Sequence, residues 1–427
     1  MEKKGISKKI IVIILIALII IVAIVGIWYF TRPPAVTKIT WWVGSWSEEA
    51  AKELASRFEK ENPNIKVEVV GLPWEGMFDK ILSALQTESP PDVVDVAVAW
   101  NQPLAALGLV VNLDSYAKEL DLTDFYKAAL DTATYKGSLY GIPFRIEVGA
   151  LMWNKKLFKE VGLDPEKPPT TWDELYEYAK KLTIPGKTYA VSYGFGEKMH
   201  AVYEFVIFLW GNGGDILDSE YKRAVFNSPE GIEALSFLTK LYQEGLMPKE
   251  AVSLTRDDMF DSYFLTEKAA MHHAGLYHLP KIKEKNPELY KNIGIAPIYK
   301  QSKGHVQYVQ IGGWNRVIAK NSKNQDAAWK FIKFLSTPEN QAFYTHTFPA
   351  VKSGLKYKNF YGIDYSDPYV IAFSKVLDAG HLTPPIAQWS QVVEELSNAI
   401  INALTGKKTP KQALDDAAAR VNEILKG

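Results

Sequence analysis

The sequence contains no cysteine in 427 residues. That absence removes disulfides, thiolate metal sites and thiol nucleophiles together. It also removes lipidation of an N-terminal cysteine as a means of attachment to a membrane. Neither sign of charge prevails, with 49 basic and 49 acidic residues, and nothing in that balance points to a nucleic-acid partner. Gly194-Phe195-Gly196 has no third glycine and no phosphate-binding lysine, so nucleotide binding is not supported. Neither a G-x-S-x-G elbow nor an H-E-x-x-H helix occurs. His272, His273 and His278 lack acidic residues at ligand spacing, and no metal or other cofactor is expected. Asp257, Asp258 and Asp261 read as a solvated helix face.

Long hydrophobic runs are also scarce, with one exception. Ile10 to Phe30 is a stretch of 21 uncharged, almost wholly apolar residues. As a helix it spans about 31 Å at ~1.5 Å per residue, matching a bilayer core of roughly 30 Å. Lys3, Lys4, Lys8 and Lys9 precede it and Arg32 alone follows closely, which places the N-terminus inside and the rest of the chain outside. A cleaved signal peptide is the other reading, but its apolar region usually runs ~7–15 residues and no A-x-A-like site follows here. Lys4-Gly5-Ile6-Ser7 looks like a prepilin-type processing site, and cleavage there leaves the helix attached. Residues 1–35 are therefore expected to be a basic cytoplasmic stub, a single transmembrane anchor and a proline-stiffened spacer.

The remainder is long enough for two domains. Lys38–Val43, Ile65–Val69 and Val93–Val98 read as strands, separated by helical periodicity to Glu61 and over Glu75–Thr87. Strand, helix, strand, helix, strand means a parallel α/β unit. Ser45 and Glu48 have capping-box spacing at the first helix. Leu139–Phe144 and Val148–Trp153 read as two further strands, followed by a mostly helical region to about Glu267. Strand-like segments return at Ala269–His273, Ile293–Pro297 and Gln307–Ala319, and helices close the chain. The expected architecture is α/β with two lobes: 36–143 with 268–314 as a parallel lobe, and 144–267 with 315–427 as a helix-rich one. Crossings near Tyr140–Arg145, Glu267–Ala269 and Trp314–Lys320 leave a hinge and a cleft between the lobes.

Tryptophan is abundant, at 12 residues. Trp46, Trp74, Trp100, Trp314 and Trp389 fall in predicted loops or loop-to-helix junctions, where a large aromatic can serve as binding surface. A pyranose has an apolar C–H face and a hydroxyl rim, so it wants a flat ring beneath it and carboxylate, guanidinium or amide groups around it. Burial in the core is the alternative for each of these tryptophans.

Several spaced motifs resemble the extracellular solute-binding proteins that serve ABC sugar importers, the family containing maltose-binding protein. They include Phe58-Glu59-Lys60-Glu61-Asn62-Pro63-Asn64-Ile65-Lys66-Val67, Pro91-Asp92-Val93-Val94 and Tyr140-Gly141-Ile142-Pro143. Trp153-Asn154-Lys155-Lys156-Leu157-Phe158, Thr171-Trp172-Asp173-Glu174-Leu175, Gly213-Gly214, Gly312-Gly313 and Ala403-Leu404-Thr405-Gly406-Lys407 continue the series, so the resemblance covers nearly all of residues 38–426. It implies a two-lobe periplasmic-binding-protein fold, type II-like. It also implies an extracytoplasmic monomer that hands a sugar, or an oligosaccharide, to importer permease subunits with a separate ATPase.

By position, the resemblance places ligand contacts at Gly44, Ser45, Trp46, Trp74, Glu75, Trp100, Arg145, Glu147, Tyr203, Trp210, Tyr277, Trp314 and Trp389. No catalytic residue is implied. Two other functions stay open on the sequence: a membrane-anchored carbohydrate-active enzyme, with Glu147 and either Glu75 or Glu204 as its carboxyl pair, and a binding protein for a non-sugar solute.

Overall fold

Ile39, Trp41 and Val43 alternate with more polar or part-exposed neighbours, and this period of two builds the buried face of β1 (Thr37–Gly44). A computed structural model of the chain describes residues 36–302, 309–376, 380–381, 383–384 and 386–426. The expected membrane helix at Ile10–Phe30 lies outside these residues. Among them, no helix is long and apolar enough to cross a membrane.

β1 pairs in parallel with β2 (Ile65–Leu72) and with β3 (Val93–Ala97). The connecting helices are α1 (Glu48–Glu61), which buries Ala51, Leu54, Ala55 and Phe58, and α2 (Met77–Leu85). The capping box expected at Ser45 and Glu48 does not form. Ser45–Ser47 is a 3-10 turn, α1 begins at Glu48, and the Glu48 carboxylate takes Lys52 Nζ at 2.5 Å instead.

Two long strands then organise the molecule. The sequence suggests separate strands on either side of Arg145–Glu147, but the chain makes one, β4 (Ile142–Asn154). Its first half pairs antiparallel with β8 (Val309–Ile318), from Ile142 opposite Arg316 to Val148 opposite Ile311. Its second half pairs with β6 (Ala269–Gly275) and β7 (Ile293–Ala296), beginning at Gly149 opposite Gly275. Backbone pairing to β8 carries the strand through the polar stretch that reads as a break. Of its 13 residues only Glu147 and Gly149 are not buried, and both lie on one face where the strand passes the cleft.

β8 lies between β3 and β4, while β5 (Tyr189–Val191) flanks β6, giving the order β2-β1-β3-β8-β4-β6-β5. This pairing corrects the expected lobe boundaries. β6 and β7 bond to the second half of β4, so residues 269–296 belong to the second lobe. The expected crossing at Glu267–Ala269 does not exist: Glu267 accepts hydrogen bonds from Asn154 and Lys156 of that same lobe. Residues after β8 were expected in the second lobe, yet α6 (Gln325–Leu335) and α7 (Pro338–Tyr344) pack on α1 in the first. The chain leaves again between Lys356 and Pro368. Beyond that point α8 (Trp389–Leu404) packs on α4 (Lys198–Gly211) and α5 (Pro229–Gln243), with α9 (Pro410–Ile424) on α8.

Beneath the first lobe's end of the cleft lies an ion pair inside the core. Asp95 and Arg316 face each other across β3 and β8, each 1% exposed. Asp95 accepts from Trp41 Nε1 at 2.9 Å and from Tyr344 Oη at 2.8 Å, with Arg316 Nε at 3.3 Å. The guanidinium also stands 3.9 Å from the centroid of Phe144. Burial pushes the Asp95 carboxyl up, against the pull of Arg316 and its hydrogen bonds.

Candidate functional site

A cavity of about 430 Å³ opens between the lobes where β4 and β8 pass from one to the other. Its first-lobe wall is aromatic. Trp46 follows β1, Trp74 precedes α2, and Trp314 sits on β8 opposite Arg145. Trp46 lies 5.4 Å from Trp314 and 6.3 Å from Trp74, centroid to centroid, with ring planes tilted by 69° and 59°. Trp46 is 37% exposed whereas Trp314 is 6% exposed, so the outer ring offers the larger free face.

Arg145 and Glu147, on β4, form an ion pair at the floor, and the Arg145 guanidinium stands 5.3 Å from the Trp314 centroid. His346 adds an imidazole that bonds Ser47 Oγ at 3.1 Å. Burial, reinforced by the charge of Arg145, holds this histidine down at about 2, so it is neutral.

The second-lobe wall is polar. Tyr203 and His200 come from the first turns of α4, whose N-cap Glu197 accepts from the His200 backbone N–H. Burial, then the nearby Arg256 charge, lowers His200 to about 3. Arg256 donates to Tyr277 Oη at 3.2 Å, and Tyr277 donates onward to Asp257 Oδ1 at 3.4 Å. Burial opposes the charge on Arg256, but Tyr277, Glu204 and Asp257 outweigh it and raise its pKa. Burial likewise raises the phenols of Tyr203 and Tyr277, which keeps them hydrogen-bond donors.

Seven of the expected site residues meet here: Trp46, Trp74, Arg145, Glu147, Tyr203, Tyr277 and Trp314. The others stand elsewhere. Gly44 underlies the Trp46 ring, where an added Cβ would fall 2.2 Å from an indole carbon, so its part is to let that ring lie down. Ser45 and Glu75 are exposed outside the cavity. Trp100 is in helix α3 (Val98–Ala106), not a loop, and stacks behind Trp74 at 5.2 Å and 20°. Trp210 is buried and donates to Asp215 at 3.1 Å.

Trp389 opens α8 as expected, yet its ring is 1% exposed and joins the second lobe's core. The preceding Pro384 and Pro385 suggest a ring projecting into the cleft; packing of α8 on α4 and α5 turns it inward instead. Four polar residues of the site, His200, Arg256, Asp257 and His346, carry no sequence signal of their own, and Asp257 reads as surface. Glu204, a candidate carboxyl partner for Glu147, is 1% exposed and bound to His273 within the core.

The profile of the bacterial extracellular solute-binding protein family matches residues 44–342. The periplasmic sn-glycerol-3-phosphate-binding protein of Escherichia coli K12 is 28% identical, over 92% of this chain and 93% of its own length. Among solved structures, an ABC transporter solute-binding protein of Thermotoga lettingae bound to α-D-tagatose is 26% identical with a TM-score of 0.80, over 91% of this chain and 100% of that one. The GacH receptor of Streptomyces glaucescens, solved unliganded and with acarbose, is 25% identical with a TM-score of 0.79, over 92% and 99%.

Proposed function

We propose, from the premise that this chain belongs to the bacterial extracellular solute-binding proteins, that it captures a sugar outside the cytoplasm and delivers it to an ABC importer. The observation that carries the reading is the pairing of a tryptophan wall with a polar wall across one cavity. Indole faces cover the apolar side of a sugar ring, and charged hydrogen-bonding groups take its hydroxyl rim. The tilt between Trp46 and Trp74 offers two separate faces, which suits an oligosaccharide better than a single ring.

Charge argues for an uncharged ligand. The cavity holds two guanidinium groups, Arg145 and Arg256, and two carboxylates, Glu147 and Asp257, alongside neutral histidines. A sugar phosphate would enter this balanced set as an uncompensated charge. Hydrolysis is the less favoured reading, since Glu147 is tied to Arg145 and Glu204 is closed off in the core. Transport needs no chemistry on the ligand, and the ATP is spent by a separate subunit.

The Ile10–Phe30 segment would tether the binding unit to the outer face of the membrane, and the two lobes would close over the ligand about β4 and β8. Small-angle scattering should then give a smaller radius of gyration at saturating sugar. The function itself is tested by a thermal-shift screen of residues 36–427 across oligosaccharides, monosaccharides and sn-glycerol-3-phosphate. A ligand at a hundred times its Kd adds about 2.7 kcal/mol of stability. Stabilisation by an oligosaccharide that is recovered uncut supports the proposal; stabilisation by the phosphate alone, or recovery of shortened sugar, refutes it.

A further inference from the structure

The second-lobe wall carries a relay whose parts are spoken for on one side only. Asp257 Oδ1 is approached by Tyr277 Oη at 3.4 Å and by His278 Nε2 at 3.3 Å. The Nε2 contact is proximity without hydrogen-bond alignment. His278 Nδ1 meets both the N–H and the carbonyl of Gly275, at 3.1 and 3.2 Å, which pins the ring. His278 is 3% exposed and is fixed between a β6 backbone amide and the carboxylate. Asp257 Oδ2 makes no hydrogen bond among the described residues, and the Asp257 side chain is 59% exposed at the cavity. Beside it, Arg256 spends one terminal nitrogen on Tyr277 and leaves a buried Nε–H without a partner.

We propose that Asp257 and Arg256 are the specificity-determining pair of this site, reading the configuration of adjacent ligand hydroxyls, and that His278 is the positioning residue that aims Asp257. This rests on the sugar reading above. Asp257 Oδ2 accepts a hydroxyl hydrogen, and a remaining terminal N–H of Arg256 donates to a hydroxyl oxygen next to it. Both bonds are charge-assisted and directional, so they form only when the hydroxyls point the right way. The tryptophan wall works differently. Stacking responds to an apolar face and tolerates epimers with the same face, so it supplies affinity while the relay supplies choice. The pinned imidazole matters because a carboxylate with a phenol donor and a buried ring packed behind it loses little freedom when ligand arrives.

The experiment is calorimetric titration of the full chain in detergent with maltose, cellobiose, lactose, trehalose and melibiose, a set that includes epimers at a single hydroxyl. In the wild type one or two sugars should bind best and the rest fall away. Asp257→Ala should weaken the best ligand about 10- to 100-fold, the worth of a hydrogen bond to a charged group, and bring the affinities of the set together. Asp257→Asn, which keeps the shape, guards against misfolding and should act in the same direction. Trp46→Ala should weaken every sugar by a similar factor and leave the ranking intact. His278→Leu should lose selectivity, and His278→Gln, whose amide can donate to Asp257, should recover part of it. A folded Asp257→Ala protein that keeps the wild-type ranking within twofold overturns this inference while the sugar reading stands. No binding of any sugar by the wild type overturns both.

Discussion

Changing Trp46 to alanine should weaken sugar binding about thirtyfold, and changing Trp389 should not. The magnitude follows from what each ring covers. Trp46 is 37% exposed at the cavity. A tryptophan offers up to about 250 Å², so a sugar resting on the free part removes roughly 90 Å² from water, worth about 2 kcal/mol at ~25 cal/mol per Å². That is about thirtyfold in Kd. Some stability goes too, but its ring neighbours Trp74 and Trp314 line the same cavity, so the loss stays below that of a core tryptophan. Trp389 is 1% exposed, and its truncation should cost about 3–5 kcal/mol of stability while the folded fraction binds normally. Calorimetric titration and chemical denaturation of both variants, below the melting range, separate the two effects. A Trp46→Ala protein whose Kd stays within threefold of wild type, or a Trp389→Ala protein that is stable yet cannot bind, would refute this assignment of the rings.

Other perturbations follow from the same geometry. Asp95→Asn leaves Arg316 buried with no countercharge and should cost about 3–5 kcal/mol in guanidinium denaturation; a loss below ~1 kcal/mol would mean that the surrounding rings of Trp41, Phe144 and Tyr344 alone satisfy the guanidinium. Burial holds His346 at about 2 and His200 at about 3 in the folded chain, against about 6.5 unfolded. The unfolded chain therefore takes up protons that the folded one refuses as pH falls below about 6.5, and stability present above that pH is lost on the way to about 3, by up to ~1.4 kcal/mol per unit for each ring. His346→Gln should flatten the dependence of unfolding free energy on pH between 6.5 and 4, and an unchanged slope counts against the assignment. Gly313 has φ of +139°, and an added Cβ would fall 2.3 Å from the Arg145 carbonyl. Gly313→Ala should cost more than ~1 kcal/mol and weaken binding by shifting Trp314; unaltered denaturation and titration would show that the strand has room to give.

The period-two and helical patterns made most elements legible in advance. The helices expected to close the chain are there, Gln325–Leu335 among them, and Thr171 caps its helix by accepting from Glu174 N–H. What sequence patterning did not show was partnership. Nothing in Ala269–His273 says whether the strand pairs with β3 or with β4, and that choice decides the lobe. The site divided along a similar line. Glu147 and Trp314 line the cavity because the strands that carry them, β4 and β8, run past it side by side. Trp389 was misplaced because a helix start does not say which way the helix rolls. Asp257 was missed because a carboxylate facing a cleft and one facing bulk water look alike in sequence; only the distant Tyr277 and His278 make the difference.

The place of β8 between β3 and β4 governs the order in which this chain can mature. β1, β2 and β3 can pair among themselves early, but the first lobe's sheet has a gap until residues 309–318 arrive to fill it. A chain made from its N-terminus must therefore extend through about three quarters of its length before its first lobe can close. Until then β3 and β4 carry unpaired edges, open to helpers and to one another. Pairing across such a sequence separation also makes the last step slow.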